Sequence, residues 1–228
     1  MFELMLDTAN LEEIKRYTDY YPVSGITTNP TILKAAGKID FFKHLAAIRD
    51  IIGQERSLHV QVVSHDCQGI IDDAQKIMNV IGEENTYIKI PVNEEGLKAI
   101  KELKARGVRV TATAVYTAMQ GFLALLAGAD YIAVYYNRLQ SFDIDPSPVV
   151  SSIAEFIVRH ESSSKILAAS FKNSTQVLDS ISLGADSATV PVSLLSTALS
   201  MPAIGLAISD FEKDWESIHG VGSKIPTL

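Results

Sequence analysis

The sequence predicts an α/β protein: a single (β/α)8 barrel of the TIM type with an extra C-terminal helix, forming one domain over residues 1–228. Three observations predict it. Eight short strand-like runs alternate, for the most part, with helical segments, and no linker or compositional seam divides the series. The first turn, Leu6-Asp7-Thr8-Ala9-Asn10, holds no glycine, whereas an open doubly wound sheet wants a glycine-rich turn there. Polar residues recur at the C-terminal ends of the runs, where a barrel gathers its site.

Each element has a local reason. Phe2–Asp7 is the first run, and Asn10 starts a helix with Glu13 at capping-box spacing. Gly25–Asn29 is the second, stopped by Pro30. Asp40 caps a helix whose Phe41, Leu45, Ile48 and Ile52 fall at helical spacing. Leu58–Val63 is the third run, followed by Ser64 as cap and an apolar face of Ile70, Ala74, Ile77 and Met78. Thr86–Val92 is the fourth, and Glu94–Arg106 is strongly helical and closed by Gly107. Val108–Val115 is the fifth, with a helix from Thr117 to Ala127 ended by Gly128. Tyr131–Tyr136 is the sixth, and Asp145-Pro146 opens a helix reaching His160. Lys165–Phe171 is the seventh, with a helix from Ser174 to Leu183 ended by Gly184. Ser187–Pro191 is the eighth, and a helical tail comes after it, centred on about 205–218.

A net charge of −7 argues against nucleic acid and against anionic membranes as partners. One cysteine, Cys67, leaves no intrachain disulfide. The N-terminal Met-Phe-Glu-Leu-Met-Leu-Asp does not read as a signal peptide, and no run reaches membrane-spanning length. A cytoplasmic location is the expectation.

Lys89 sits inside an otherwise apolar strand, Thr86-Tyr-Ile-Lys-Ile-Pro-Val92. A buried lysine avoids the cost of an unpaired charge by staying neutral, and a neutral amine attacks carbonyls. Snorkelling from an edge strand is the bland alternative. Ile88, Ile90 and Val92 form a helix-facing set, which turns Tyr87 and Lys89 toward the barrel axis. The same alternation groups Thr111 with Thr113. Asp7, Thr27, Thr28, Asn29, Gln61, Tyr135, Arg138, Ser170 and Lys172 end the other strands. Singly, Thr27, Asn29 or Ser170 reads as a turn or cap residue; agreement among strands is harder to dismiss. The five histidines show no metal-ligand spacing. His65-Asp66-Cys67 begins a helix, and Gly220-Val221-Gly222-Ser223-Lys224 lacks the strand and helix of a phosphate loop and reads as a frayed tail.

Leu6-Asp7-Thr8, Gly25-Ile26-Thr27-Thr28-Asn29-Pro30, Ile88-Lys89-Ile90-Pro91-Val92 and Leu167-Ala168-Ala169-Ser170-Phe171-Lys172 resemble the transaldolase superfamily across essentially the whole chain. Ala112-Thr113-Ala114-Val115-Tyr116 and Tyr135-Tyr136-Asn137-Arg138 resemble its small fructose-6-phosphate aldolase branch. The resemblance implies a cofactor-free class I mechanism with Lys89 as Schiff-base lysine. It gives Asp7 a donor hydroxyl and Asn29, beside Thr27, the donor hydroxymethyl end. Tyr135 moves protons through a water held by Gln61 and Thr113. Arg138, Ser170 and Lys172 take the acceptor phosphate. Relatives acting as transaldolases carry glutamate and phenylalanine where Gln61 and Tyr135 stand. The resemblance also implies a homo-oligomer, a decamer of two pentamers, with the C-terminal helix against a neighbouring subunit. The alternatives are a transaldolase moving a dihydroxyacetone unit between sugar phosphates, as in the pentose phosphate pathway, and a non-catalytic barrel that binds sugar phosphates.

Overall fold

In the computed structural model, which describes residues 2–227, parallel strands β1 to β8 close into a barrel in sequence order, with β1 paired to β8. Met1 and Leu228, the ends of the expected domain, lie outside the described residues. The strands are Glu3–Asp7, Val23–Thr27, Ser57–Gln61, Thr86–Pro91, Val110–Val115, Tyr131–Tyr135, Lys165–Ala169 and Ser187–Val190. Helices α1 (Leu11–Tyr20), α2 (Pro30–Ala35), α3 (Phe41–Ile52), α4 (Cys67–Ile81) and α5 (Glu94–Ala105) flank the first half. Helices α6 (Ala118–Leu126), α7 (Tyr136–Gln140), α8 (Ser147–Arg159) and α9 (Ser174–Ser182) flank the second. Helices α10 (Val192–Leu199) and α11 (Pro202–His219) come last, and the chain divides into two compact units between Val192 and Ser193.

The outer strand faces carry Leu6, Ile26, Leu58, Val60, Ile88, Ile90, Ile132 and Val134, all fully buried. Ile14, Leu45, Ile48, Ile70, Ala74, Ile100 and Leu103 supply the buried stripes of the helices. Each fully buried aliphatic side chain contributes about 1.5–3 kcal/mol. Inside the barrel, Met5, Tyr131, Ala133 and Leu167 pack together with Tyr87, so the lower half is filled rather than open.

Several boundaries differ from expectation. β2, β3 and β7 stop at Thr27, Gln61 and Ala169, short of Asn29, Val63 and Phe171, because the residues beyond turn into the next helices. Asn29 instead caps α2, its Oδ1 accepting from Ile32 N at 3.0 Å. The cap of α4 is Asp66 and not Ser64: its carboxylate accepts from Gly69 N at 2.9 Å. Asn10 caps α1, but Glu13 closes no box, since it accepts from the Thr8 hydroxyl at 2.7 Å. A genuine box forms between Thr117 and Gln120. The short α7 has no counterpart in the expected elements. The stretch after α11 is not frayed; Gly222 N donates to Glu216 Oε1 at 2.8 Å.

Among the described residues no single helix is long and apolar enough to cross a membrane; α10 and α11 pass only as a pair bent by 44°.

Candidate active site

Lys89 is 3% exposed, at the C-terminal half of β4. A closed barrel has no edge strand, so snorkelling from an edge is ruled out. Among the described residues it forms no salt bridge and no hydrogen bond through its amine. Burial lowers its pKa, opposed by the Asp7 charge. Register pairs it with Gln61 on one side and Thr111 on the other.

Asp7 ends β1, paired with Thr27 of β2. The Thr27 hydroxyl donates to Asp7 Oδ1 at 2.6 Å and lies 2.6 Å from Thr189 Oγ1. With the Thr27 proton committed to the carboxylate, Thr189 must donate to Thr27. A chain of hydroxyls therefore runs from β8 through β2 to Asp7. Burial raises the Asp7 pKa, while Lys89 and the Thr27 hydroxyl pull it down. For this pair, burial drives both groups toward their neutral forms.

On the opposite wall, the Thr113 hydroxyl donates to Tyr135 Oη at 3.2 Å. Burial raises the Tyr135 pKa, so the phenol keeps its proton at neutral pH. Its ring meets Tyr116 edge-on at 5.6 Å and lies 5.4 Å from the Arg138 guanidinium carbon. Gln61 Oε1 is buried without a protein partner, the condition of an oxygen that holds water or ligand. The carboxylate of Asp73 fixes the loop after it, accepting from Val63 N and Ser64 N at 3.0 and 2.9 Å.

Arg138 lies on α7, while Ser170 and Lys172 come after β7. Arg138 and Lys172 are exposed. Ser170 has φ 66°, a left-handed conformation that costs a non-glycine residue about 1–3 kcal/mol. Its carbonyl accepts from Asn137 N at 3.1 Å. Asn29 spends only its Oδ1 on the α2 cap, which leaves its amide N–H groups free to donate.

Sequence reasoning missed three contributors. Thr189 is one. The second is His59, fully buried beneath Lys89's level, stacked on Tyr87 at 4.6 Å. Its Nδ1 lies 2.8 Å from Thr111 Oγ1 and its Nε2 3.1 Å from Ser57 Oγ. The Ser57 hydroxyl also lies 3.4 Å from Ser24 O. Burial, the largest cause, holds this imidazole neutral. The third is Gln176, whose capping-box offset from Asn173 was the available signal. A cavity of about 470 Å³ opens between the β1–α1 turn, α2 and α3; Asp7, Thr8, Asn10, Glu13 and His44 are among its lining residues.

A sequence model of the family described as transaldolase/fructose-6-phosphate aldolase matches residues 4–225. The chain is similar to a probable fructose-6-phosphate aldolase of Streptococcus pneumoniae (strain ATCC 700669 / Spain 23F-1). The two are 48% identical over 213 residues, covering 93% of this chain and 96% of that protein.

Proposed function

The chain belongs to the transaldolase/fructose-6-phosphate aldolase family, and from that membership we propose that it is a class I aldolase. It cleaves fructose 6-phosphate reversibly to dihydroxyacetone and glyceraldehyde 3-phosphate. The observation that carries this reading is Lys89, a buried lysine with a lowered pKa beside a carboxyl group.

The neutral amine adds to the donor ketone, and uptake of one proton with loss of water leaves a protonated imine. That cation draws the electrons of the adjacent C–C bond. The hydroxyl on the departing carbon gives its proton to the water beside Tyr135, the bond breaks, the aldehyde leaves, and an enamine stays on Lys89. Protonation of the enamine carbon and addition of water release the ketone and restore the amine. Asp7 holds a donor hydroxyl near the breaking bond, kept in position by the hydroxyl chain from Thr189 and Thr27. Asn29, beside Thr27, binds the hydroxymethyl end through its free amide N–H groups. Tyr135 moves the proton, through a water held by Gln61 and Thr113. Supporting that role are a phenol that keeps its proton and a buried amide oxygen that lacks a protein partner. Arg138, Ser170 and Lys172 take the acceptor phosphate by charge-assisted hydrogen bonds. No cofactor takes part. The enzyme works in the cytoplasm as one domain over residues 1–228, in a decamer of two pentamers. Its C-terminal helix, about 205–218, packs against a neighbouring subunit.

Product analysis with fructose 6-phosphate as sole substrate tests this. Free dihydroxyacetone with glyceraldehyde 3-phosphate is the expected result. No turnover until a second aldose phosphate is added would make the protein a transaldolase, passing the same three-carbon unit between sugar phosphates.

A further inference from the structure

The cationic side of the site is split between two segments that leave different strands. Arg138 rides on α7, directly after β6, and Ser170 and Lys172 lie in the connection from β7 to α9. Neither segment is held firmly by its own local structure. Helix α7 has five residues and no side-chain cap, and so short a helix is marginal alone. Ser170 keeps a left-handed φ, which persists only where the surroundings impose it.

One side chain ties the two together. Gln176, on the first turn of α9, is 6% exposed. Its Oε1 accepts from Lys172 N at 2.7 Å. Its Nε2 donates to Asn137 Oδ1 at 2.9 Å and to Gln140 Oε1 at 2.6 Å, both on α7. Both polar atoms of the amide are engaged, and the bonds span the division between Arg138's helix and Lys172's loop. The comparable residue of α6 behaves differently. Gln120 Oε1 accepts from Tyr116 N and Thr117 N, closing the cap of its own helix. Gln176 reaches past its own cap, which Asn173 makes, to a second element. The bond from Asn137 N to Ser170 O is a second tie between the same segments.

We propose that Gln176 is a positioning residue: the Gln176–Asn137 clamp sets the spacing of Arg138 from Ser170 and Lys172, and thereby gives the site its preference for phosphorylated acceptor aldehydes. The proposal rests on the acceptor-phosphate reading of those three residues. A phosphate needs several donors at fixed separations, and small misplacements of binding groups are costly. Among the described residues the hydrogen bonds of Gln176 go to Lys172, Asn173, Asn137 and Gln140 and not to Lys89, Asp7 or Asn29, so its effect is expected on the acceptor side.

The test is the ratio of kcat/KM for glyceraldehyde 3-phosphate to that for glyceraldehyde, each with dihydroxyacetone as donor. Gln176→Met keeps the length of the side chain and removes its hydrogen bonds. The ratio is expected to fall at least about tenfold, through KM for the phosphorylated aldehyde. Borohydride trapping of dihydroxyacetone on Lys89 reports the folded donor half and is expected to persist. A general loss of structure would lower both substrates and the trapping together. An unchanged ratio with trapping intact overturns the proposal. Where Gln176→Met fails to fold, Asn137→Ala removes the other end of the clamp and the same ratio is read. A fall supports the clamp and an unchanged ratio overturns it. A parent enzyme that does not distinguish the two aldehydes overturns the acceptor reading itself, and the role of Gln176 with it.

Discussion

A lysine inside a barrel is a nucleophile only while uncharged, and its burial leaves a mark on stability as well as on chemistry. Folding takes Lys89 from an unfolded pKa of about 10.4 to a lower value. Between those values the unfolded chain holds the extra proton, so this group makes stability rise with pH. Methionine fills the same length without titrating. Lys89→Met is therefore expected to abolish borohydride trapping and to unfold at higher denaturant than the parent at neutral pH. That advantage is expected to shrink as pH rises toward about 10.4. Asp7 bends the difference the same way: without the Lys89 charge its raised pKa stands higher still, and the variant loses stability with rising pH for as long as the folded chain holds that proton and the unfolded chain does not. Urea titrations of both proteins from pH 6 to 10 check the sign; a gap that widens with pH contradicts a depressed Lys89. Tyr135 carries the second residue-level prediction. Removing its hydroxyl in Tyr135→Phe is expected to slow ketone release at least about tenfold while the imine at Lys89 still forms. Transfer to an added aldehyde is expected to fall less, because an unprotonated enamine waits for an electrophile. Ketone release at the parental rate would remove Tyr135 as proton donor.

At the scale of elements, the strand bearing Lys89 is held in place by α5, the helix it leads into. Gly96 lies in the first turn of α5, and a Cβ there would overlap the Pro91 carbonyl oxygen, which cannot yield as a flexible side chain could. Gly96→Ala is expected to cost about 1–3 kcal/mol by overpacking and to disturb the end of β4. Thr117→Ala, which only opens the capping box of α6, is expected to cost about 1 kcal/mol. Thermal melts with parallel trapping assays separate them, since only Gly96→Ala is expected to slow imine formation. The elements themselves were legible, because apolar alternation, cap residues and terminal glycines coincide at Asn10, Asp40, Gly107, Gly128 and Gly184. Strand ends were less so. Val63 and Phe171 have the composition of strand residues, but β3 and β7 end before them, the last bond from β3 to β4 running from Val62 N to Lys89 O at 3.1 Å. The short α7 carries no cap signal and merges into the aromatic end of β6. In the candidate site, inward alternation was enough to predict that Lys89, Thr111 and Thr113 face the axis. The links from Thr189 to Thr27 and from Gln176 to Asn137 were not legible, since they join residues far apart in sequence and leave no local pattern.

For the whole molecule, the question left by the sequence is what covers its last long helix. None of the described residues of α11 is buried; Phe211 is 70% and Ile218 75% exposed. Trp215 is half-buried, its ring 4.3 Å from His219 and its indole nitrogen without a partner. Phe211, Trp215 and Ile218 recur at i, i+4 and i+7, so they form one stripe along the helix. Large aromatic and aliphatic residues at that spacing would each gain about 1.5–3 kcal/mol on burial. A stripe left in water invites a partner, and in a homo-oligomer the available partner is another copy of the chain. Cutting the chain after Asp210 removes all three residues and leaves every barrel strand intact. In analytical ultracentrifugation the shortened protein is expected to sediment as smaller species than the parent at equal concentration. Because every residue proposed for the site lies before Ser193, Lys89 is expected to remain trappable in those smaller species. An unchanged sedimentation coefficient, corrected for the missing residues, would show that assembly does not depend on this stripe.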